Sequence, residues 1–334
     1  MIKFLRTLFL LIGVTVLGTL VFEYFFREAE ETYLTRPGAL VSTWKDDVPV
    51  TVHLDCKGPK RSHRPIILLE AGALGWSSSW WRVQQLLSQD HRVCTWDRPG
   101  MGWSPAPLLP LSVKDYAPLL HQILQEQGEK GPYLLAGHSM GSLILWDFAQ
   151  QYPNDVQAFL MIDPAHPQQF DRLPTPLLKE THEQLNLLKW GPTMADLGLL
   201  RWFDPPILSI QSLPFPWQQS VYHFANNPQH LTQARNEVMQ WRQAWPDRLT
   251  FERQFSWPVW VLSVEHRTPV AEWTSSWRDL HTELSHLSKQ GKLMIAPNVD
   301  HQGILFTEEG AQFVLSQIET LEQESRPKRH MAQR

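Results

Sequence analysis

Apolar residues along this chain fall into short continuous runs, separated by stretches in which they recur at helical spacing. Pro65–Leu69, Val93–Trp96, Tyr133–Ala136, Ala158–Ile162, Pro258–Val264 and Leu293–Ala296 are such runs. Pro65–Leu69 is uninterrupted, which suits a strand buried on both faces of a parallel sheet. Val50–Cys56 alternates instead, as a strand near a sheet edge would. Between the runs, Trp80, Val83, Leu86 and Leu87 share one helical side, and a second helix is predicted from about Ser112 to Gln127, ending at Gly128. Trp273, Trp277, Leu280, Leu284 and Leu287 are spaced four-three-four-three on one face, and a last helix begins near Thr307. Strands alternating with helices predict parallel β-α-β units, hence an α/β fold with helices on both faces of a mostly parallel sheet. Residues 165–256 break the rhythm. They are rich in Pro, Gln and Trp, carry helical stretches such as Gln233–Trp245 and show no strong strand, so they read as a helical insert over the sheet.

The N-terminus follows a different pattern. Lys3 and Arg6 precede an uncharged apolar run from Thr7 to Phe22, which continues past Glu23 to Tyr24-Phe25-Phe26. Residues 7–26 are therefore predicted to be a transmembrane anchor with an aromatic girdle at its far end. A cleaved signal peptide is the competing reading, but no small-x-small cleavage site follows. The positive residues before the span place the N-terminus in the cytoplasm and the rest of the chain across the membrane, in a periplasmic, extracellular or lumenal space. Residues 27–50 read as a linker leading into the domain, with a turn at Pro37-Gly38. Residues 51–325 read as the globular domain and 326–334 as a solvated basic tail.

Composition narrows the picture. With 43% hydrophobic and 19% charged residues the chain is globular, and a net charge of −4 gives no electrostatic case for nucleic acid. Cys56 and Cys94, the only cysteines, are too few for a framework or a metal site. They read as inert buried thiols, with pairing left open for an exported domain. No phosphate-binding glycine loop, Cys/His cluster or dinucleotide fingerprint is present, so no cofactor and no metal is implied.

The candidate chemistry centres on Gly137-His138-Ser139-Met140-Gly141, between a strand run and a helical pattern from Ser142 to Gln151. That context marks a nucleophile elbow, in which Ser139 sits on a strained turn at a helix N-terminus. With Asp97-Arg98-Pro99-Gly100-Met101-Gly102-Trp103-Ser104 and a late histidine after the last strand, the sequence resembles the α/β-hydrolase superfamily over residues 40–325. Leu69–Gly72, Cys94–Ser104 and Gly131–Tyr133 make it similar to a branch of membrane-anchored bacterial-type hydrolases.

The resemblance implies a serine hydrolase with Ser139 as nucleophile and His301 as base, and an oxyanion hole formed by the backbone N–H groups of Ala73 and Met140. His166 is a minor competitor for the base, and His138 is expected to point away from the nucleophile. The acid departs from the family pattern. Arg267 stands about where the usual Asp after the Val259–Val264 strand is expected, which leaves Asp163, ending the strand after the elbow helix, or Glu265. Asp97 and Arg98 read as a brace for their loop. The expected substrate is a small-molecule ester, thioester or amide. A lipophilic one would suit Trp190, Trp202, Trp217, Trp241 and Trp245 of the insert, which line an acyl pocket or face lipid. An aminopeptidase-like or C–C-bond hydrolase is the alternative on the same scaffold, and a catalytically silent binding protein the alternative outside enzymes.

Overall fold

A computed structural model describes residues 2–202, 213–246, 248–252, 254–265 and 271–326. Its centre is an eight-stranded sheet: β1 (Ala39–Lys45), β2 (Val48–Lys57), β3 (Ile66–Glu70), β4 (Val93–Asp97), β5 (Tyr133–His138), β6 (Val156–Ile162), β7 (Val259–Val264) and β8 (Lys292–Ala296). The spatial order is β1-β2-β4-β3-β5-β6-β7-β8. β2 runs antiparallel to both of its neighbours, and every pairing from β4 to β8 is parallel.

The helices are α1 (Ile2–Tyr33), α2 (Trp81–Leu87), α3 (Tyr116–Glu126), α4 (Met140–Gln151), α5 (Gln169–Arg172), α6 (Thr175–Asp196), α7 (Phe215–Ala225), α8 (Pro228–Ala244), α9 (Ala271–Ser285), α10 (Gly303–Phe306) and α11 (Glu308–Ser325). The two-residue period of the strands divides the core into two layers. Leu68, Leu135, Phe159 and Val261 pack with residues of α3, α4 and α9 on one face. Ile67, Leu69, Leu134, Leu160 and Leu262 pack with α2 and α11 on the other. α4 is buried from Met140 to Ala149, as expected for a helix covered by sheet and insert alike.

Two sequence expectations are corrected. The proposed linker over 27–50 contains the last turns of α1 and the whole of β1. β1 escaped notice because Thr43 is its only fully buried residue, so an edge strand shows little alternation. The cysteines form a disulfide: Cys56 on β2 lies directly opposite Cys94 on β4, with Cα atoms 4.0 Å apart. Pairing of those two strands, which local sequence does not reveal, is what brings the thiols together. The insert contains α5 to α8 and no strand among its described residues.

Candidate active site

The Tyr133–His138 strand ends at Ser139, whose φ of 53° and ψ of −124° form a strained conformation for a residue with a side chain. Two glycines permit it. A Cβ on Gly137 would approach Ser142 Cα to 2.7 Å, and one on Gly141 would approach the Glu70 carbonyl oxygen to 2.5 Å. The strained residue is held from both sides: Ser139 N–H donates to the Ile162 carbonyl at 3.0 Å, and Ala165 N–H donates to the Ser139 carbonyl at 3.1 Å. Met140 opens α4, so its N–H lies in the first turn, where no intrahelical acceptor exists. The Ala71–Gly75 loop passes directly over Ser139, with a Cβ on Gly72 only 3.1 Å from Ser139 Cβ.

Asp163 sits one residue beyond β6 and is almost fully buried. Its Oδ1 accepts from Val264 N–H at 3.0 Å, and its Oδ2 lies 2.5 Å from His301 Nδ1. The structure thus brings Asp163 and His301 together across 138 residues of sequence. Glu265, exposed at the end of β7, does not take that place. Arg267 lies outside the described residues. Asp300, beside His301, is occupied in accepting from Gly303 N–H at 2.6 Å at the start of α10.

His138 has a part that its sequence position did not reveal. Its Nε2 lies 2.9 Å from the His301 carbonyl oxygen, which only accepts, so that nitrogen carries the hydrogen. The two rings are 4.6 Å apart. His138 thus holds the backbone of the loop that carries His301. A histidine inside the elbow is the signal that could have been read this way, given the position of that loop. His166 is fully buried, accepts from Gln168 N–H at 3.1 Å through Nδ1 and lies against Phe251.

Beneath the Ala71–Gly75 loop lies a buried charged cluster. Arg98 donates to Glu70, to Glu237 of α8 and to the carbonyls of Ala71 and Gly72, at 2.7 to 3.0 Å. Trp96 donates to the second oxygen of Glu70, and Tyr116 to Glu237 at 2.8 Å. Asp97 accepts from the N–H groups of Ser77 at 2.6 Å and Trp103 at 2.9 Å. The brace expected of Asp97 and Arg98 thus reaches both the loop over Ser139 and the insert.

Burial pushes His138 and His166 down to about 3 and His230 to about 4. Burial pushes Glu70 up to about 7, with Glu237 adding to the shift. Between pH 4.5 and 6.5, unfolding lets three imidazoles take up protons near their usual 6.5, while Glu70 releases one toward its usual 4.5. The unfolded chain therefore binds about two more protons from these four groups, so stability rises with pH in that window. Stability should fall by about 2–3 kcal/mol as the pH drops from about 6 to about 5. Urea unfolding at pH 5 and 6 checks this, and a flat or reversed slope would contradict it.

A cavity of about 40 Å³ is lined by Ala73 and Leu74 of the loop, Gln302 beside His301, and Val221 of α7. That volume holds a few waters. The tryptophans of the insert divide into three groups: Trp241 and Trp245 are buried, Trp217 is half-buried against Trp81, and Trp190 and Trp202 are exposed.

Residues 65–202 match the family model described as alpha/beta hydrolase fold. The carboxylesterase CesB of Bacillus subtilis superimposes with a TM-score of 0.62, over 91% of this chain and 98% of that one, at 16% identity. This chain has the α/β-hydrolase fold. A membrane phospholipase A described as a bacterial virulence factor is similar in the same way, with a TM-score of 0.57 at 20% identity, over 96% of this chain and 99% of that one. An AB hydrolase superfamily protein of Gibberella zeae is 30% identical over 113 residues, 33% of this chain. The match spans about a third of that relative, 35% of its length. The hydrolase fold accounts for the position of the site, since open parallel sheets bind ligands at the carboxyl ends of their strands. Ser139, Asp163 and the loop after β3 all lie there.

Proposed function

We propose that this α/β hydrolase is a membrane-anchored serine hydrolase that cleaves an ester, thioester or amide through an acyl-enzyme. The observation that carries the reading is the buried Asp163 carboxylate on His301 Nδ1, with Ser139, held at positive φ, hydrogen-bonded through its backbone to Ile162 and Ala165 on either side of Asp163. In this reading Asp163 fixes the hydrogen of His301 on Nδ1, which leaves Nε2 free to take the proton of Ser139 Oγ. Ser139 attacks the substrate carbonyl. The N–H groups of Ala73 and Met140 stabilise the oxyanion, at about 3–4 kcal/mol each. His301 then returns the proton to the leaving group, and water releases the acyl group by the same steps.

Arg98 supports the reading by tying down the carbonyls of Ala71 and Gly72, which orients the Ala73 N–H. The catalytically silent alternative draws its support from the missing aspartate after β7, and the contact of Asp163 with His301 argues against it. The same residues would serve an aminopeptidase-like or C–C-bond hydrolase, so the scissile bond is what substrate tests decide.

In the same proposal α1 crosses the membrane with Lys3 and Arg6 on the cytoplasmic side, and the hydrolase domain lies on the far side. Among the described residues α1 is the one helix long and apolar enough to do so. A disulfide between Cys56 and Cys94 is at home in an oxidising compartment, which favours that orientation. Residues 165–256 act as the lid.

The detergent-solubilised full chain, offered fluorogenic esters of graded acyl length together with thioester and amide counterparts, tests the proposal. Turnover of at least one class, blocked by a fluorophosphonate, is expected; no turnover of any class would sink it.

A further inference from the structure

The lid and the anchor are joined by a buried ionic cluster that neither an ester hydrolase nor a simple tether requires. Glu23 lies in α1 just past the apolar run and is only 1% exposed. Arg201, in the turn 199–202 after α6, contacts it at 2.8 Å and reaches Glu30, two turns further along, at 2.9 Å. The Arg201 guanidinium also lies 4.4 Å from the ring centroid of Phe26. Gly198 lets the turn come this close, since a Cβ there would stand 2.8 Å from Glu23 Oε2. Arg27 pairs with Asp196 at 3.8 Å, and His223 of α7 with Glu30 at 3.4 Å. The turn is thus fixed against one side of α1, at the level of Glu23 and Phe26.

That level has a physical meaning. Residues 2–22 of a straight helix extend roughly 30 Å, about the thickness of a bilayer's hydrocarbon core. Glu23 then falls at the boundary, among the aromatic residues Phe22, Tyr24, Phe25 and Phe26 that favour headgroup depth. The turn clamped there presents Trp202, 85% exposed, and Leu199, 43% exposed. An exposed tryptophan is costly in water and well placed at a membrane interface, where its ring is buried and its N–H stays hydrated.

We propose that the turn 199–202 is a membrane-docking element: Trp202 and Leu199 insert into the bilayer interface beside α1, and Arg201 fastens them there through Glu23 and Glu30. The occupant of this apolar surface is lipid, because the surface is continuous with the apolar flank of α1, which is exposed throughout its span. The lid is thereby held at the bilayer surface and does not swing free above it. The inference rests on α1 spanning the bilayer and is independent of the reaction catalysed.

The test uses the full chain in lipid nanodiscs. With Cys56 and Cys94 joined, Trp202→Cys gives a single free thiol for an environment-sensitive fluorophore, and it alters only an exposed residue. Resistance of the chain to carbonate extraction establishes the spanning premise separately. The proposal predicts that emission at position 202 is quenched by brominated lipid and protected from iodide. A label at Ser316, exposed on α11, should behave in the opposite way. Combining Arg201→Ala with the label at 202 should release it to iodide. Iodide quenching at 202 in the otherwise native chain would overturn the docking. Protection from both quenchers, the result expected if a second copy covers the turn, would overturn it equally. Unchanged lipid quenching in Arg201→Ala would overturn the fastening role of the arginine.

Discussion

Asp163→Asn should lower kcat about 10³- to 10⁴-fold while the protein keeps its fold. The carboxylate does two separable things. Its Oδ1 accepts from Val264 N–H, which an asparagine carbonyl can still do. Its Oδ2 faces His301 Nδ1, where an asparagine would present an amide N–H instead. The imidazole then has to place its lone pair on Nδ1 and its hydrogen on Nε2, the wrong tautomer to accept a proton from serine. Steady-state kinetics and thermal unfolding of Asp163→Asn and Glu265→Gln check the assignment together. Glu265→Gln should turn over near the native rate, because that side chain is exposed and does not occupy the Asp163 position. A large loss in Glu265→Gln with a small one in Asp163→Asn would mean that the acid is wrongly assigned.

Ser139→Ala should be more damaging still, by about 10⁶ in kcat, and His301→Ala should match it. The double variant should be no worse than either single one. Nucleophile and base act as a unit, so removing one leaves the other with nothing to do. What survives should be a slow background reaction supported by the oxyanion donors and substrate binding, which neither substitution touches. Ser139→Ala keeps the Cβ, so the positive-φ strain at this position remains and stability should be nearly unchanged. Additive losses in the double variant would mean that the two residues do not share one step.

What the sequence disclosed and what it withheld follow from the range of the interactions involved. The elbow was legible because everything that forms it lies within Tyr133–Gln151: an apolar strand run, two glycines at positions that exclude a Cβ, and a helical pattern. The sheet was legible because runs such as Ile66–Leu69 and Leu134–Ala136 feed both layers of the core. The insert was recognisable as helical from its lack of strand signals. The choice between Asp163 and Glu265 was open, since it depends on which strand end lies nearest a loop 138 residues away. The disulfide required knowing that β2 pairs with β4. His138 required knowing where the His301 loop passes. β1 carries too little buried surface to impose a pattern on its sequence. The clamp between Arg201 and Glu23 is the extreme case: two charged residues 178 positions apart, each unremarkable alone.

The central claim is that Ser139 is made nucleophilic by His301, and mapping a covalent adduct tests it most directly. The native chain, treated with a fluorophosphonate and analysed by peptide mass spectrometry, should carry one adduct, on the Ser139 peptide, forming far more slowly in His301→Ala. An unlabelled Ser139 peptide, or labelling as fast without His301 as with it, would contradict the account.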